Sequence, residues 1–291
     1  MQVILHTGAH CTDEDRLLKS LLKNRDLCAK QGTAVPGPGK FRRLMRETLM
    51  AMRDAPPDDG AREVLLDAMV DGEQPKRVVL SHLYLFGAPR TAVRNGFLYP
   101  NAIEVLQHVQ QLFPDDEIEM FMGLRDLSGF LPAVFALSPK EQMIEFLGGV
   151  DPREMRWSET IRQIRQQVPS IRMTLWCNED TPLLWSEIIR EMAGLSFDAE
   201  IEGAYDLLAE IMSKEGMRRF EAYLSAHPVM TEIQRRRVIA AFLGKFALED
   251  QIEEELDVAG WTEELVAELE GIYDEDVAEI SQMHGVHMIM P

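Results

Sequence analysis

Met1-Gln-Val-Ile-Leu-His-Thr-Gly-Ala-His-Cys-Thr-Asp-Glu-Asp-Arg-Leu-Leu-Lys-Ser20 is the stretch on which the fold of this chain turns. Val3–His6 has the short apolar run of a buried strand, Gly8 permits a tight turn, and Leu17, Leu18, Leu21 and Leu22 recur at helical spacing after Asp13. A strand that passes through a glycine turn into a helix offers free backbone N–H groups and the positive end of a helix dipole. That is the architecture of a phosphate-binding loop. Yet Asp13, Glu14 and Asp15 stand where such a loop needs glycine and hydroxyls. The scaffold predicts a nucleotide site, and its charges repel an anion. Thr12 followed by three acids also reads as a helix N-terminus that caps itself.

Outward from this stretch, strands alternate with helices. Arg77–Ser81, Glu117–Leu124 and Ile171–Cys177 read as strands. Phe41–Arg53, Gly60–Asp71, Asn101–Phe113, Ser138–Leu147 and Trp157–Val168 read as helices, and Gly32–Gly39 is a loop dense in turn residues. This order predicts an α/β fold with a mostly parallel sheet covered by helices on both faces. From Asp198 onward only helices are expected, over Ala204–Lys214, Gly216–Ala226, Met230–Leu243 and Thr262–Glu270. The expected organisation is an α/β core of residues 1–200 with a helical region, 201–291, packed on it.

Composition narrows the partners. The 291 residues carry a formal charge of −19, which argues against nucleic acid or an anionic membrane, since both need a basic face. No apolar run approaches the roughly 18 residues of a membrane span. Val3-Ile-Leu5 is too short for the core of a signal peptide and no basic leader precedes it, so no secretion signal is expected. Three widely spaced cysteines, Cys11, Cys28 and Cys177, predict a reducing, cytoplasmic setting without disulfides.

The opening stretch resembles that of bacterial sulfotransferases, which run Leu-His-Ile-Gly-x-His-Lys-Thr-Gly-Thr-Thr-x-Leu-Gln and continue to an asparagine, a leucine and a Gly-x-x-x-Pro loop. His6, Gly8, His10, Thr12, Leu17, Asn24, Leu27, Gly32 and Pro36 stand at matching places. Gly260–Ile280 resembles the closing helices of the same family, with its tyrosine-acid-x-acid stretch at Tyr273–Asp276. The resemblance covers roughly residues 1–200 and the last thirty. It implies a P-loop-like α/β sandwich that binds 3′-phosphoadenosine 5′-phosphosulfate (PAPS), with Gly8, His10 and Thr12 at the 5′ phosphosulfate. Arg125 would lie at the 3′-phosphate.

The departures are specific. The family's loop lysine is Cys11, its glycine is Asp13, and its two threonines are Glu14 and Asp15. Its 3′-site serine falls at Ala133, behind Pro132, leaving Ser128 nearby as either a phosphate ligand or the cap of the following helix. Two unit charges about 4 Å apart repel by roughly 1 kcal/mol in water and about 4 kcal/mol near a protein surface. Several such pairs cost orders of magnitude in affinity, so PAPS binding in the family's manner is not expected.

Other candidates lie after the second strand. His82, which follows Ser81 where the resemblance implies a serine-glutamate pair, is the candidate general base. Arg90, Arg94 and Tyr99 sit in the long loop Phe86–Asn101, beyond the carboxyl end of a strand, and are the candidate substrate-binding residues. His6, His10 and Cys11 beside the three acids mix soft and hard ligands without metal-site spacing, so no metal is assigned. Three functions stay open: a sulfotransferase-like binding or regulatory protein that no longer uses PAPS; an active sulfotransferase; and an enzyme that reuses the cleft for a cationic substrate or metal.

Overall fold

The computed structural model describes residues 1–70, 72, 74–248 and 258–291. β1 (Gln2–His6) lies mid-sheet, hydrogen-bonded in parallel to β3 (Arg77–Ser81) on one side and β6 (Glu117–Leu124) on the other. β2 (Thr33–Ala34) extends the sheet beyond β3, while β7 (Arg172–Cys177) and β8 (Val286–Ile289) extend it beyond β6. The result is one parallel sheet in the order β2-β3-β1-β6-β7-β8. The α/β fold expected from the alternation of elements is the fold observed.

Both faces of the sheet are buried over most of its area, which is why β1 and β3 read as apolar runs, while β6 alternates over Glu117–Met120 before it turns apolar. Val3, Leu5, Val78, Leu80, Met120 and Met122 face one side. That side is covered by α3 (Pro38–Ala51), α4 (Ala61–Met69), α5 (Ala102–Leu112), α6 (Leu127–Ala136) and α8 (Trp157–Gln167). Ile4, Val79, Phe121 and Trp176 face the other, under α1 (Arg16–Lys23) and α9 (Thr181–Ala193). α2 (Arg25–Lys30) and α7 (Met143–Phe146) are short connectors. α10 (Asp206–Ile211), α11 (Lys214–Ala226) and α12 (Glu232–Phe246) share a separate small core of Leu208, Met212, Phe220 and Ile239.

The end of the chain departs from the expectation of helices alone. α13 (Glu263–Ser281) packs on α6 and α8 and sends Tyr273 and Ile280 into the main core, and β8 then completes the sheet beside β7. A four-residue edge strand, Val-His-Met-Ile, is too short to show a period, so it read as loop. β2 was hidden in the Gly32–Gly39 loop for the same reason. Ser138–Leu147 is helical only over Met143–Phe146, because the Ser138 hydroxyl accepts from the Lys140 amide and holds Pro139 in a turn. The helix expected over Gly60–Asp71 is observed as α4, and its last expected residue, Asp71, lies outside the described residues.

Two side-chain contacts lock α13 and its lead-in onto the core. Asp276, buried, accepts from the Trp157 and Ser158 amides at 2.7 and 3.2 Å and so caps α8 from another helix. Pro132 lies inside α6 and has no N–H to give the Ser128 carbonyl four residues back. The Trp261 indole N–H donates to that carbonyl at 2.9 Å instead. Trp261→Phe is therefore expected to lower stability in urea by about 1 kcal/mol. In a Pro132→Ala background the cost should shrink, since the restored amide satisfies Ser128; an equal cost in both backgrounds refutes the exchange.

Candidate functional site

β1 delivers its carboxyl end between two neighbours. The chain leaves β1 toward β2 and β3, while β6 leads away to β7, so residues 7–15 lie where the strand order reverses. Open α/β sheets hold ligands at such points. Gly8 turns the chain with φ 58°, and a Cβ there would meet Leu83 Cδ2 at 2.7 Å, so another residue would be strained and would have to displace Leu83. Cys11, Glu14 and Asp15 also lie in the left-handed region, at φ 58°, 48° and 64°. Each of these is strained for a residue with a Cβ.

That strain is held by contacts from three directions. The Tyr99 hydroxyl accepts from the His10 amide and donates to His10 Nδ1, both at 2.7 Å, and His10 Nε2–H donates to the Gly87 carbonyl at 3.1 Å. Both ring nitrogens of His10 are thus occupied, and burial pushes its pKa down to about 4. Arg125 Nη1, from the end of β6, donates to the Cys11 carbonyl at 2.5 Å. Arg42, on α3, grips Asp15 with both terminal nitrogens, at 2.9 and 2.5 Å, and donates from Nε to the Ser81 carbonyl at 2.9 Å. That guanidinium keeps the Asp15 carboxyl below the usual range.

The helix does not start as a self-capping Thr12 requires. α1 begins at Arg16, its N-cap Asp15 makes no side-chain cap bond, and the Thr12 hydroxyl donates to the Ala9 carbonyl at 2.6 Å. Ser128 is likewise not a cap: Asp126 accepts from its amide at 2.7 Å, and Ser128 is buried in the first turn of α6. The three acids point in different ways. Glu14 is exposed and pairs with Arg16, and Asp15 is half-buried on Arg42. Asp13 is only 6% exposed, and neither of its carboxylate oxygens has a hydrogen-bond partner. Burial and then Asp15 push its pKa up to about 7, against the weaker pull of the Leu17 amide, Arg16 and Arg42.

Among the described residues, seven buried side-chain N or O atoms lack a partner, and five belong to His6, Thr7, Asp13 and Ser20. Unsatisfied polar groups so concentrated mark a segment shaped for something other than stability. His6 Nδ1 meets the Ser81 hydroxyl at 3.0 Å, and burial brings its pKa to about 4. No three His, Cys, Asp or Glu side chains among the described residues gather as a metal centre.

Beside the loop, beyond β3, opens a cleft of about 460 Å³. His82, Tyr84 and Phe86 form one wall, Arg46, Leu49 and Met50 of α3 another, and Arg90 and Asn101 line it too. Its back wall is shared with the loop, since Gly87 accepts from His10 and the Tyr84 ring packs on His10 at 5.4 Å. His82 Nδ1 accepts from the Tyr84 amide at 3.3 Å, and burial, with Arg42 and Arg46, lowers its pKa to about 4. A group of that pKa is a weak base at neutral pH.

The predicted substrate residues do not converge. Arg90 reaches the cleft, while Arg94 lies on the hairpin of β4 (Val93–Arg94) and β5 (Phe97–Leu98), among the lining of neighbouring cavities. Tyr99 is buried under His10, where burial pushes its phenol well up. Arg46, on α3, and Arg53, just past its end, went unread because that helix looked purely structural. The hairpin was legible in Asn95-Gly96, whose two positive φ values form its two-residue turn. Also unread was Glu179, which accepts from the Asp126 amide and the Tyr273 hydroxyl and ties β7 to β6 and α13.

Compared with known proteins, the chain matches no protein-family model and no curated protein. No helix among the described residues is long and apolar enough to cross a membrane.

Asp13 gives a pH signature. An acid whose pKa is raised on folding from 3.8 to about 7 destabilises the fold when ionised; the cost is absent below the lower value and complete above the upper. Asp13→Asn is expected to gain on the wild type as pH rises from 4 to 8, by on the order of 4 kcal/mol. Urea unfolding at both pH values reads the gap, and a gap independent of pH excludes a perturbed Asp13.

Proposed function

We propose that this chain is a sulfotransferase-like protein that does not bind PAPS in that family's manner and serves as a binding or regulatory scaffold. The observation that carries this is Asp13. Its buried carboxyl lies by the Leu17 amide at the amino end of α1, where a phosphate-binding loop places its anion. Nearby cations are already engaged: Arg42 on Asp15, Arg16 on Glu14 and Glu210, and Arg125 on the Cys11 carbonyl. The central β1 and the parallel strand order support a P-loop-like scaffold. Three cysteines outside any disulfide suit the cytoplasm, and the charge of −19 speaks against nucleic acid.

A second reading, an active sulfotransferase, draws on His82 lining a cleft next to the loop. There His82 would take the proton of an acceptor hydroxyl or amine as that atom bonds to sulfur and the S–O bond to the departing 3′-phosphoadenosine 5′-phosphate breaks. Its low pKa and its occupied Nδ1 weigh against that role.

Calorimetric titration with 3′-phosphoadenosine 5′-phosphate separates the two. No binding at millimolar ligand is expected. Micromolar binding overturns the scaffold reading, and PAPS turnover lost in both Arg125→Ala and His82→Ala would establish the second.

A further inference from the structure

The cleft beyond β3 has a charge opposite to that of the chain. The protein holds 49 acids against 30 Lys and Arg, yet the lining of this cleft includes Arg46, Arg53 and Arg90 and no Asp or Glu. Arg53 is neutralised by Glu104, at 3.0 Å. Arg46 and Arg90 form no ion pair among the described residues. Exposed guanidinium groups left unpaired in so acidic a chain raise the local concentration of anions.

Apart from His82, Tyr84 and Asn101, the rest of the lining is apolar. Leu49, Leu85 and Phe86 are buried behind it, while Met50 and Tyr84 stay 59% and 55% exposed along its sides. Large apolar side chains left open to water beside a cavity gain free energy when a ligand covers them. The cavity is within the usual range for small-molecule sites, about 300–1,000 Å³. Fixed cations at the edge of an apolar cavity select for a molecule with both characters.

We infer that this cleft binds an amphipathic anion, its charged head held by Arg46 and Arg90 and its apolar body laid on Leu49, Met50, Leu85 and Phe86. The head is a single carboxylate or a group of similar charge, which two guanidinium groups can share. The body is a short aliphatic or aromatic chain. A hydrophilic anion leaves the apolar wall uncovered, and a neutral amphiphile leaves the arginines unused. This assignment rests on the scaffold reading above, because it makes the cleft that scaffold's binding site.

Decanoate is the probe, titrated calorimetrically into the full chain beside decan-1-ol and acetate. Saturable one-site binding of decanoate is expected, about tenfold weaker in Arg46→Gln and in Arg90→Gln, weaker still in the double variant. Decan-1-ol should bind about tenfold more weakly than decanoate, and acetate not measurably. Both arginines are exposed, so thermal unfolding should be unchanged in the variants. Decanoate that binds all the variants equally, or fails to bind the wild type at millimolar concentration, overturns the assignment. Micromolar binding of 3′-phosphoadenosine 5′-phosphate, with decanoate binding still arginine-dependent, sinks the scaffold reading and leaves the cleft assignment standing.

Discussion

β1 is hydrogen-bonded on both sides, and the rest of the site follows from that constraint. A strand paired to β3 and β6 along its length cannot shift or fray, so the turn after His6 always emerges at one point of the sheet edge. Whatever reaches the turn is then fixed as well. His10 is received by Tyr99 and Gly87, Cys11 by Arg125, and Asp15 by Arg42. Left-handed backbone at three residues with side chains persists only when its surroundings over-determine it. Here contacts from β6, α3 and the β3–α5 connection supply that excess of restraint.

The same contacts sort charge across a short distance. At the loop Arg16, Arg42 and Arg125 each have a partner within the protein, and the carboxyl of Asp13 is buried without one. One wall further on, past Tyr84 and Gly87, Arg46 and Arg90 have none among the described residues, and no acid among those residues lines the space. On the proposed reading, a diffusing anion is disfavoured at the loop once Asp13 ionises and is favoured in the cleft. At an effective dielectric near 20, one charge pair at about 4 Å is worth about 4 kcal/mol, enough for such neighbouring sites to differ by orders of magnitude in affinity.

The sheet was legible because its inner strands, Val3–His6, Arg77–Ser81, Glu117–Leu124 and Ile171–Cys177, are largely apolar runs imposed by burial on both faces. The edges were not, since Thr33–Ala34 and Val286–Ile289 are too short to carry a period. In the site, residue types were legible and orientations were not. Sequence placed Thr12, Ser128 and Tyr99 at the site, but a helix starting three residues later than Asp13 turned Thr12 inward onto Ala9. Asp126 took the cap from Ser128, and stacking on Trp157 at 6.0 Å helped bury Tyr99. Arg46 could not be chosen among the arginines of α3, because which of them faces a cavity depends on how that helix rests on the sheet.

Removing one acid does not turn this loop into a phosphate site. Neutralising Asp13 ends one repulsion, yet Arg42 stays on Asp15 and Arg125 stays on the Cys11 carbonyl, so no cation is released. Removing Asp15 frees two nitrogens of Arg42, but the third still holds the Ser81 carbonyl, so the guanidinium keeps facing β3. It also unhooks the loop from α3 just where the backbone is most strained. Charge and shape in this loop are one set of contacts. A phosphate-binding loop at this turn would therefore require glycine, lysine and hydroxyls together, because the residues present form a single structural state of the β1–α1 turn.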